Sequence, residues 1–460
     1  MRLIFDGGVD TVTGSCCRIE AAGAAVLRDC GLYQGRRQES AVRNRSFAVD
    51  PRGLRAVVLS HAHIDHCGNL PSLARGGYDG PIHAHRATAD LCGIMLRDAA
   101  HIQEADAAYL NQKTNRRGLP PVEPLYTMAD AEAALRLLRG HEYGHPVEAA
   151  PGIVHTGLDA GHILGAELSV FDLEEGGRRR RVGFAVDLGR RGLPLLRDPE
   201  PMAGLDLLVI ESTYGGRRHE EAATARERLV GIVRRTLERG GKLFVPSFAL
   251  ERTQEILYHI NVAVDEGRLA PVCVHVDSPM AAGITQVFER HLDLLDTESH
   301  DLRRRRGSVF PPWVRFAVTV EDSKRITASG APCVVIAASG MCEHGRILHH
   351  LKHGIGDPRN AVAIVGFQAA QTLGRRLVEG QRRVKIFGDE FAVRAEVHAL
   401  HAFSAHADEA DLVAYVAAAS PARVALVHGE AESRKALAAA LEAAGLPRPL
   451  LPSPGDVVDL

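Results

Sequence analysis

The chain is expected to adopt an α/β fold in which a strand-rich domain is interrupted by a second domain of alternating strands and helices. Three observations predict this. Short apolar runs separated by Gly-rich turns fill the stretch up to Glu211. After Glu211, helical and β-branched apolar segments alternate, the pattern of parallel strands joined by crossover helices. From Val384 onward short strands return.

Each element follows from its local pattern. Leu3 to Phe5, Ser15 to Glu20 and Ala24 to Arg28 read as strands between glycine turns, and Arg55 to Leu59 as a buried strand. Ala87 to Gln112 and Asp130 to Leu138 read as helices. Gly152 to Ala160, Glu167 to Asp172, Arg181 to Val186 and Leu207 to Ile210 resume the strand pattern. Glu220 to Arg239 is helical and stopped by Gly240-Gly241. Strands are then expected at Lys242 to Pro246, Val272 to Val276, Cys333 to Ala337 and Ala361 to Gly366. Helices are expected at Thr253 to Glu266, Ala281 to His291, Gly345 to His353 and from Thr372. Lys385 to Phe387, Arg394 to Leu400 and Arg423 to Val427 are strands, with helices at Asp411 to Ala418 and at the end of the chain.

Bulk properties narrow the class. At 460 residues the chain exceeds the size at which one hydrophobic core keeps growing, so at least two domains are expected. A net charge of -2 provides no global basic excess, and the Arg runs at Arg178 to Arg181 and Arg303 to Arg306 read as solvated turns. Eight scattered Cys without a C-x-x-C pair suit a reduced, cytoplasmic protein. No signal peptide is visible, and no apolar run reaches the roughly 20 residues that span a membrane.

The chemistry concentrates in Ser60-His61-Ala62-His63-Ile64-Asp65-His66, an H-x-H-x-D-H run at the end of a strand. Imidazole and carboxylate are the ligands of catalytic Zn²⁺. Matching residues stand at other strand ends or in Gly-flanked loops: Asp29, His162, Asp187 and His428. Asp29 is read as a carboxylate that orients a metal-bound His. Together these residues make a ligand shell for two ions with a bridging carboxylate in reach.

This pattern resembles the metallo-β-lactamase fold, a four-layer αββα sandwich. Glu211-Ser212-Thr213-Tyr214-Gly215, Phe403-Ser404-Ala405-His406 and Val427-His428-Gly429-Glu430 are similar to three marker motifs of the β-CASP nucleases. Val245 to Ala249, Asp277 to Met280, Ser339-Gly340-Met341, Gly345 to His350 and Thr372 to Arg375 are similar, in order, to that family's insert. The resemblance implies an αββα sandwich interrupted by a parallel-sheet α/β β-CASP domain, with parts at 1–212 and 381–460 around an insert at 213–380. It implies a first zinc on His61, His63 and His162, a second on Asp65, His66 and His428, and Asp187 bridging both, with Mn²⁺ also tolerated. Two departures stand out: Ala185-Val186 precedes Asp187 where the family often has Ser-Gly, and Glu343-His344 precedes Gly345 in a presumed substrate loop.

The implied function is zinc-dependent endoribonuclease cleavage of single-stranded RNA by a metal-bridging hydroxide, in RNA processing or decay, with room for a 5′-exonuclease mode. The catalytic set is His406 as general acid, Glu211 holding it, Asp65 and Asp29. In the insert, Ser247, Ser278 and Ser339 fall between a strand and a helix, where backbone N–H groups bind anions. With Arg252, Arg346 and Arg375 they are read as a phosphate track, each Ser having a helix cap as its other reading. The competing assignments are a DNA nuclease of the same family and a small-molecule metallo-hydrolase. A homodimer is compatible with the sequence, and no membrane partner is expected. His83 and His85 read as strand residues, and His349, His350 and His353 as helix residues outside the metal site. His401 lies outside the marker motif. Trp313 and Phe316 are expected to pack in the core or at a domain interface.

Overall fold

The computed structural model describes residues 1–114, 121–220, 222–366, 368–369, 371–400 and 403–460. His401 is outside this range. The chain forms two compact units: Met1–Arg191, Asp198–Arg218 and His406–Leu460 make the first, and Gly192–Arg197 with His219–Ala405 make the second.

The first unit is a sandwich of two sheets. One has seven strands in the order Val457–Asp459, Arg2–Gly7, Cys16–Ala21, Ala24–Arg28, Ala56–Val58, Ile82–His85 and Leu138–His141. The other has six, in the order Val424–Val427, Leu207–Glu211, Arg178–Ala185, Glu167–Glu175, Ile153–Asp159 and Pro146–Ala150. Alternating residues of both sheets fill one core, with Phe5, Ile19 and Val26 from the first against Phe171, Phe184 and Val209 from the second. Phe171 and Phe184 meet edge-on at 5.6 Å between ring centroids. Each such side chain contributes about 1.5 to 3 kcal/mol by leaving water. The helix Arg86–Thr114 lies against the strands Ile82–His85 and Leu138–His141, and Ala431–Ala443 lies against Val424–Val427. These are the outer layers of the expected αββα arrangement.

Register in this unit decides where chemistry can sit. Arg178–Ala185 pairs parallel with Leu207–Glu211, which pairs parallel with Val424–Val427. Ala24–Arg28 likewise runs parallel to Ala56–Val58. Parallel neighbours put their carboxyl ends at one edge, so the residues that end or follow these strands gather there: Asp187, Glu211 and His428 from one sheet, Asp29 and His61 from the other.

The second unit holds a parallel six-stranded sheet, ordered Arg315–Phe316, Val274–Asp277, Cys333–Ala337, Lys242–Pro246, Ala361–Ile364 and Glu396–Ala399. The alternation after Glu211 therefore becomes the parallel sheet it predicted. Two expectations are corrected. Residues 381–405 belong to this unit and not to the outer domain, because Glu396–Ala399 pairs with Ala361–Ile364, and Val384, Ile386 and Ala395 enter the insert's core. The Arg runs are not turns: Arg178 to Arg181 open a strand, and Arg303 to Arg306 form the last turn of the helix Thr297–Arg306. That helix was invisible in the sequence because it lacks an apolar stripe, although Asp296 caps it.

A buried carboxylate braces this second unit. Asp277 is fully buried at a strand end and accepts hydrogen bonds from Arg346 at 2.7 Å, from Ser323, and from His350 at 2.7 Å. Burial would raise its proton affinity, but the hydrogen bonds from His350, Ser323 and Arg346 outweigh burial and hold it below the ordinary carboxylate range. Asp277→Asn is expected to lower stability by about 3 to 5 kcal/mol at neutral pH, the cost of breaking a buried charged network. Since the folded value lies below the unfolded one, this contribution is complete above the ordinary carboxylate range and is lost as pH falls through the folded value. Urea titrations of both proteins across that acid range should show the gap closing; a gap independent of pH would refute the assignment.

Candidate metal centre and active site

The site is assembled on the first unit, beginning with the loop after Ala56–Val58. His61 and His66 are buried, and Asp65 and His66 ride on a one-turn helix, Ile64–Cys67, too short for sequence patterning to reveal. The backbone just before Cys16–Ala21 and just after Ala24–Arg28 clamps this helix. Cys30 N donates to the His66 carbonyl, Leu32 N to Ile64, and Ser15 N to Asp65, at 2.8 to 2.9 Å. Gly31 is required here, since a Cβ at that position would sit 1.6 Å from the Asp65 carbonyl oxygen.

Asp187 is the centre. Its Oδ2 lies 3.2 Å from His61 Nε2, 3.3 Å from His66 Nε2 and 3.5 Å from His162 Nε2, and its Oδ1 lies 3.2 Å from His428 Nδ1. Two ligand sets share it, His61–His63–His162–Asp187 and Asp65–His66–Asp187–His428, each with its ligand atoms within 4.8 Å of one another. All seven metal-site residues expected from the sequence are thus brought together. Asp29, Asp187 and His428 each have left-handed backbone, with φ of 63°, 59° and 51°. Asp29 and His428 directly follow a strand and Asp187 stands two residues beyond one, and the left-handed turn swings each side chain to the sheet edge; Asp and His tolerate this conformation better than most residues.

Two of the imidazoles and the central carboxylate are held in the form that ligates a cation. Burial, with His61 alongside, pushes the His63 imidazole down to about 3, and burial with His406 alongside pushes His162 down as well. Both are therefore neutral at physiological pH, the form that ligates a metal. Burial would raise the Asp187 carboxyl, yet His428 and His66 hold it well below its usual range, so it stays a carboxylate. His66 Nε2, Asp187 Oδ1 and His428 Nε2 are buried without hydrogen-bond partners, the orphaned atoms that a bound ion would satisfy. The donor set, imidazoles and carboxylates with no thiolate, fits Zn²⁺.

Asp29 stands behind the ligands. Fully buried, it accepts from His66 Nδ1 at 2.7 Å, Ser60 N at 2.8 Å, Ser60 Oγ at 3.0 Å and Arg28 Nη1 at 2.6 Å. Holding His66 by Nδ1 leaves Nε2 as the ligating nitrogen. Arg28 was missed in the sequence; the only signal was a charged residue ending an apolar strand. On the other side of the centre, Glu211 is fully buried and accepts from Leu188 N at 2.6 Å and from His406 Nδ1 at 3.0 Å. The His406 ring lies 4.6 Å from that of His162. Burial alone would lower His406, but the charge and hydrogen bond of Glu211 outweigh it and raise it to about 9.

The insert residues are placed differently from the expected phosphate track. Ser247, Ser278 and Ser339 do follow three neighbouring parallel strands, yet all three are buried and their hydroxyls are engaged internally. Ser278 caps its helix by accepting from Ala281 N, Ser339 accepts from Glu343 N and His344 N, and Ser247 bonds Phe248 O and Thr253. Arg346 is bound to Asp277 and to the Ala317 and Val318 carbonyls, Arg252 to Glu255, and Arg375 to Glu379 at 2.6 Å on the surface.

Because Asp29 fixes His66, Asp29→Ala should weaken the affinity of the site for an added divalent metal, with Zn²⁺ as the probe, by about 10- to 100-fold without removing any ligand. Competition with a chromogenic chelator measures this; affinity equal to wild type would show that Asp29 does not orient the ligand.

Three known families match along the chain: the metallo-beta-lactamase superfamily over residues 9–163, the Beta-Casp domain over 253–377, and the Zn-dependent metallo-hydrolase RNA specificity domain over 390–448. Ribonuclease TTHA0252 of Thermus thermophilus is 38% identical over 440 residues, covering 95% of each chain. An RNase J-like protein of Methanocaldococcus jannaschii is 30% identical over 433 residues, covering 93% of this chain and 92% of that one. Transcription termination factor FttA of Thermococcus kodakarensis is 31% identical over 401 residues, covering 84% of this chain and 59% of its own length. The crystal structure of a protein of unknown function from Enterococcus faecalis V583 shares the fold, with a TM-score of 0.54 at 14% identity over 100% of this chain and 99% of that one. With its ligand sets meeting on one carboxylate and with these relatives matching over nearly its whole length, the chain belongs to the β-CASP family of metallo-β-lactamase-fold hydrolases.

Proposed function

We propose that the protein is a zinc-dependent endoribonuclease of the cytoplasm that hydrolyses phosphodiester bonds of single-stranded RNA in processing or decay, with two zinc ions per chain. The observation that carries this reading is His406, held by Glu211 beside two ligand sets that share Asp187. RNA as substrate is supported by the matched RNA specificity domain and by the similarity to Ribonuclease TTHA0252 and to an RNase J-like protein.

Two zinc ions bound in these sets would polarise the scissile phosphate and lower the pKa of an attacking water. The side chains do the rest. His61, His63, His162, His66 and His428 present imidazole nitrogens, and Asp187 and Asp65 balance the charge. Glu211 keeps the His406 imidazole protonated at neutral pH and holds its ring by Nδ1. Proton transfer to the leaving oxygen then falls to Nε2. A 5′-exonuclease mode would use the same residues.

The test is cleavage of an internally labelled single-stranded RNA, with matched single-stranded DNA, chelator-treated protein and His406→Ala run alongside. Internal cuts in RNA that chelation abolishes are expected. His406→Ala should lower kcat by about 10²- to 10⁴-fold, the usual worth of a general acid, with bound zinc unchanged. Faster cleavage of DNA would move the assignment to a DNA nuclease. No cleavage of either strand by zinc-loaded protein would overturn the reading.

A further inference from the structure

A second group of metal-type ligands lies in the first unit, outside the Asp187 centre. His141, His155 and Glu167 offer one ligand atom each, all within 4.8 Å of one another. His155 and Glu167 are fully buried and the His141 side chain is 8% exposed. His141 Nε2 lies 2.9 Å from Glu167 Oε2, and His155 Nε2 lies 3.3 Å from Glu167 Oε1. Ligands about 2.1 Å from a tetrahedral Zn²⁺ stand roughly 3.4 Å apart, so the His155–Glu167 separation is that of two atoms facing a common ion.

The polar accounting is incomplete without a ligand. Both ring nitrogens of His155 and Oε1 of Glu167 are buried with no hydrogen bond, although two of these atoms are only 3.3 Å apart. Native interiors seldom leave such atoms unsatisfied. Burial, with His141 beside it, holds the His155 imidazole neutral, the ligating form. His83 Nε2 is also buried without a partner, and His83 is coupled electrostatically to both His141 and His155.

The backbone is shaped for this cluster. Gly157 stands between His155 and Asp159 on the strand that pairs with Glu167–Glu175. A Cβ on Gly157 would lie 2.3 Å from Glu167 Oε2, so the glycine makes the space through which the Glu167 side chain reaches His155. His141 comes from the edge strand of the seven-stranded sheet, whereas His155 and Glu167 come from the six-stranded one. We infer that His141, His155 and Glu167 bind a further divalent transition ion, Zn²⁺ by their chemistry, which staples the two sheets together. Its burial assigns it a structural role, as structural zinc sites contribute directly to folding.

The full-length chain, stripped with a chelator, reloaded with Zn²⁺ and desalted, should carry three zinc ions by elemental mass spectrometry. His155→Gln and Gly157→Ala should each carry two, the second by crowding Glu167 with no ligand removed. A His61→Ala/His63→Ala double variant, impaired only at the Asp187 centre, should keep the buried ion, and zinc should raise its melting temperature. Wild type with two ions, unchanged in His155→Gln, would overturn the inference and leave the catalytic pair intact. Wild type with one ion that persists in the double variant would uphold the buried site and overturn the two-ion reading of the catalytic centre.

Discussion

The site depends on one buried carboxylate, Asp187, being placed where four imidazoles from three separate loops reach it. A carboxylate this deep is expensive to desolvate unless charge is returned to it. His428 and His66 return it, and His61 and His162 complete the ring. None of these contacts is local. They exist because Arg178–Ala185, Leu207–Glu211 and Val424–Val427 are parallel neighbours in fixed register, with Ala185 opposite Ile210 and Glu211 opposite Val427. A slip of one residue in either pairing would turn the side chains of that strand to the opposite face. The apolar core that sets this register therefore sets the geometry of the chemistry.

The outer shell follows the same logic with a different balance. Arg28 and Asp29 form a fully buried ion pair at 2.6 Å, and the Arg28 guanidinium lies 5.4 Å from the centre of the Phe184 ring. A buried pair of this kind adds little net stability over apolar residues of the same volume. Its value lies in position. Arg28 keeps Asp29 ionised, Asp29 holds His66 by Nδ1 and the Ser60 backbone by its N–H, and Ser60 adjoins His61. The orientation of ligands in both metal sets is thereby traced to one strand end.

Legibility in the sequence tracks how local each feature is. H-x-H-x-D-H, the lone Asp or His after an apolar strand, and helix–strand alternation are all short-range patterns, and each led to the observed place. What the sequence hid is long-range. Residues 381–405 join the insert through the pairing of Glu396–Ala399, which no local pattern announces. Ser247, Ser278 and Ser339 stand at strand ends as expected, but only three-dimensional packing shows that their hydroxyls are engaged. His83 and His85 lie on a strand as expected, whereas His141, His155 and Glu167 come from three other strands, so their convergence could not be read from spacing.

The two His clusters are also mechanically linked. Glu167 donates its backbone N–H to the Ser60 carbonyl at 2.9 Å, while its side chain lies among His141 and His155. Ser60 in turn is tied to Asp29 and precedes His61. Fixing the Glu167 side chain therefore restrains the same short backbone that aims His61 at Asp187. A sheet edge carrying several ligands on left-handed turns stores strain of about 1 kcal/mol or more at each, which persists only where surrounding contacts over-determine the backbone. The clamp from Ser15, Cys30 and Leu32 on one side and the Glu167 bond on the other provide that over-determination, so the precision of the catalytic centre rests on polar contacts buried between and behind the sheets as much as on the ligands themselves.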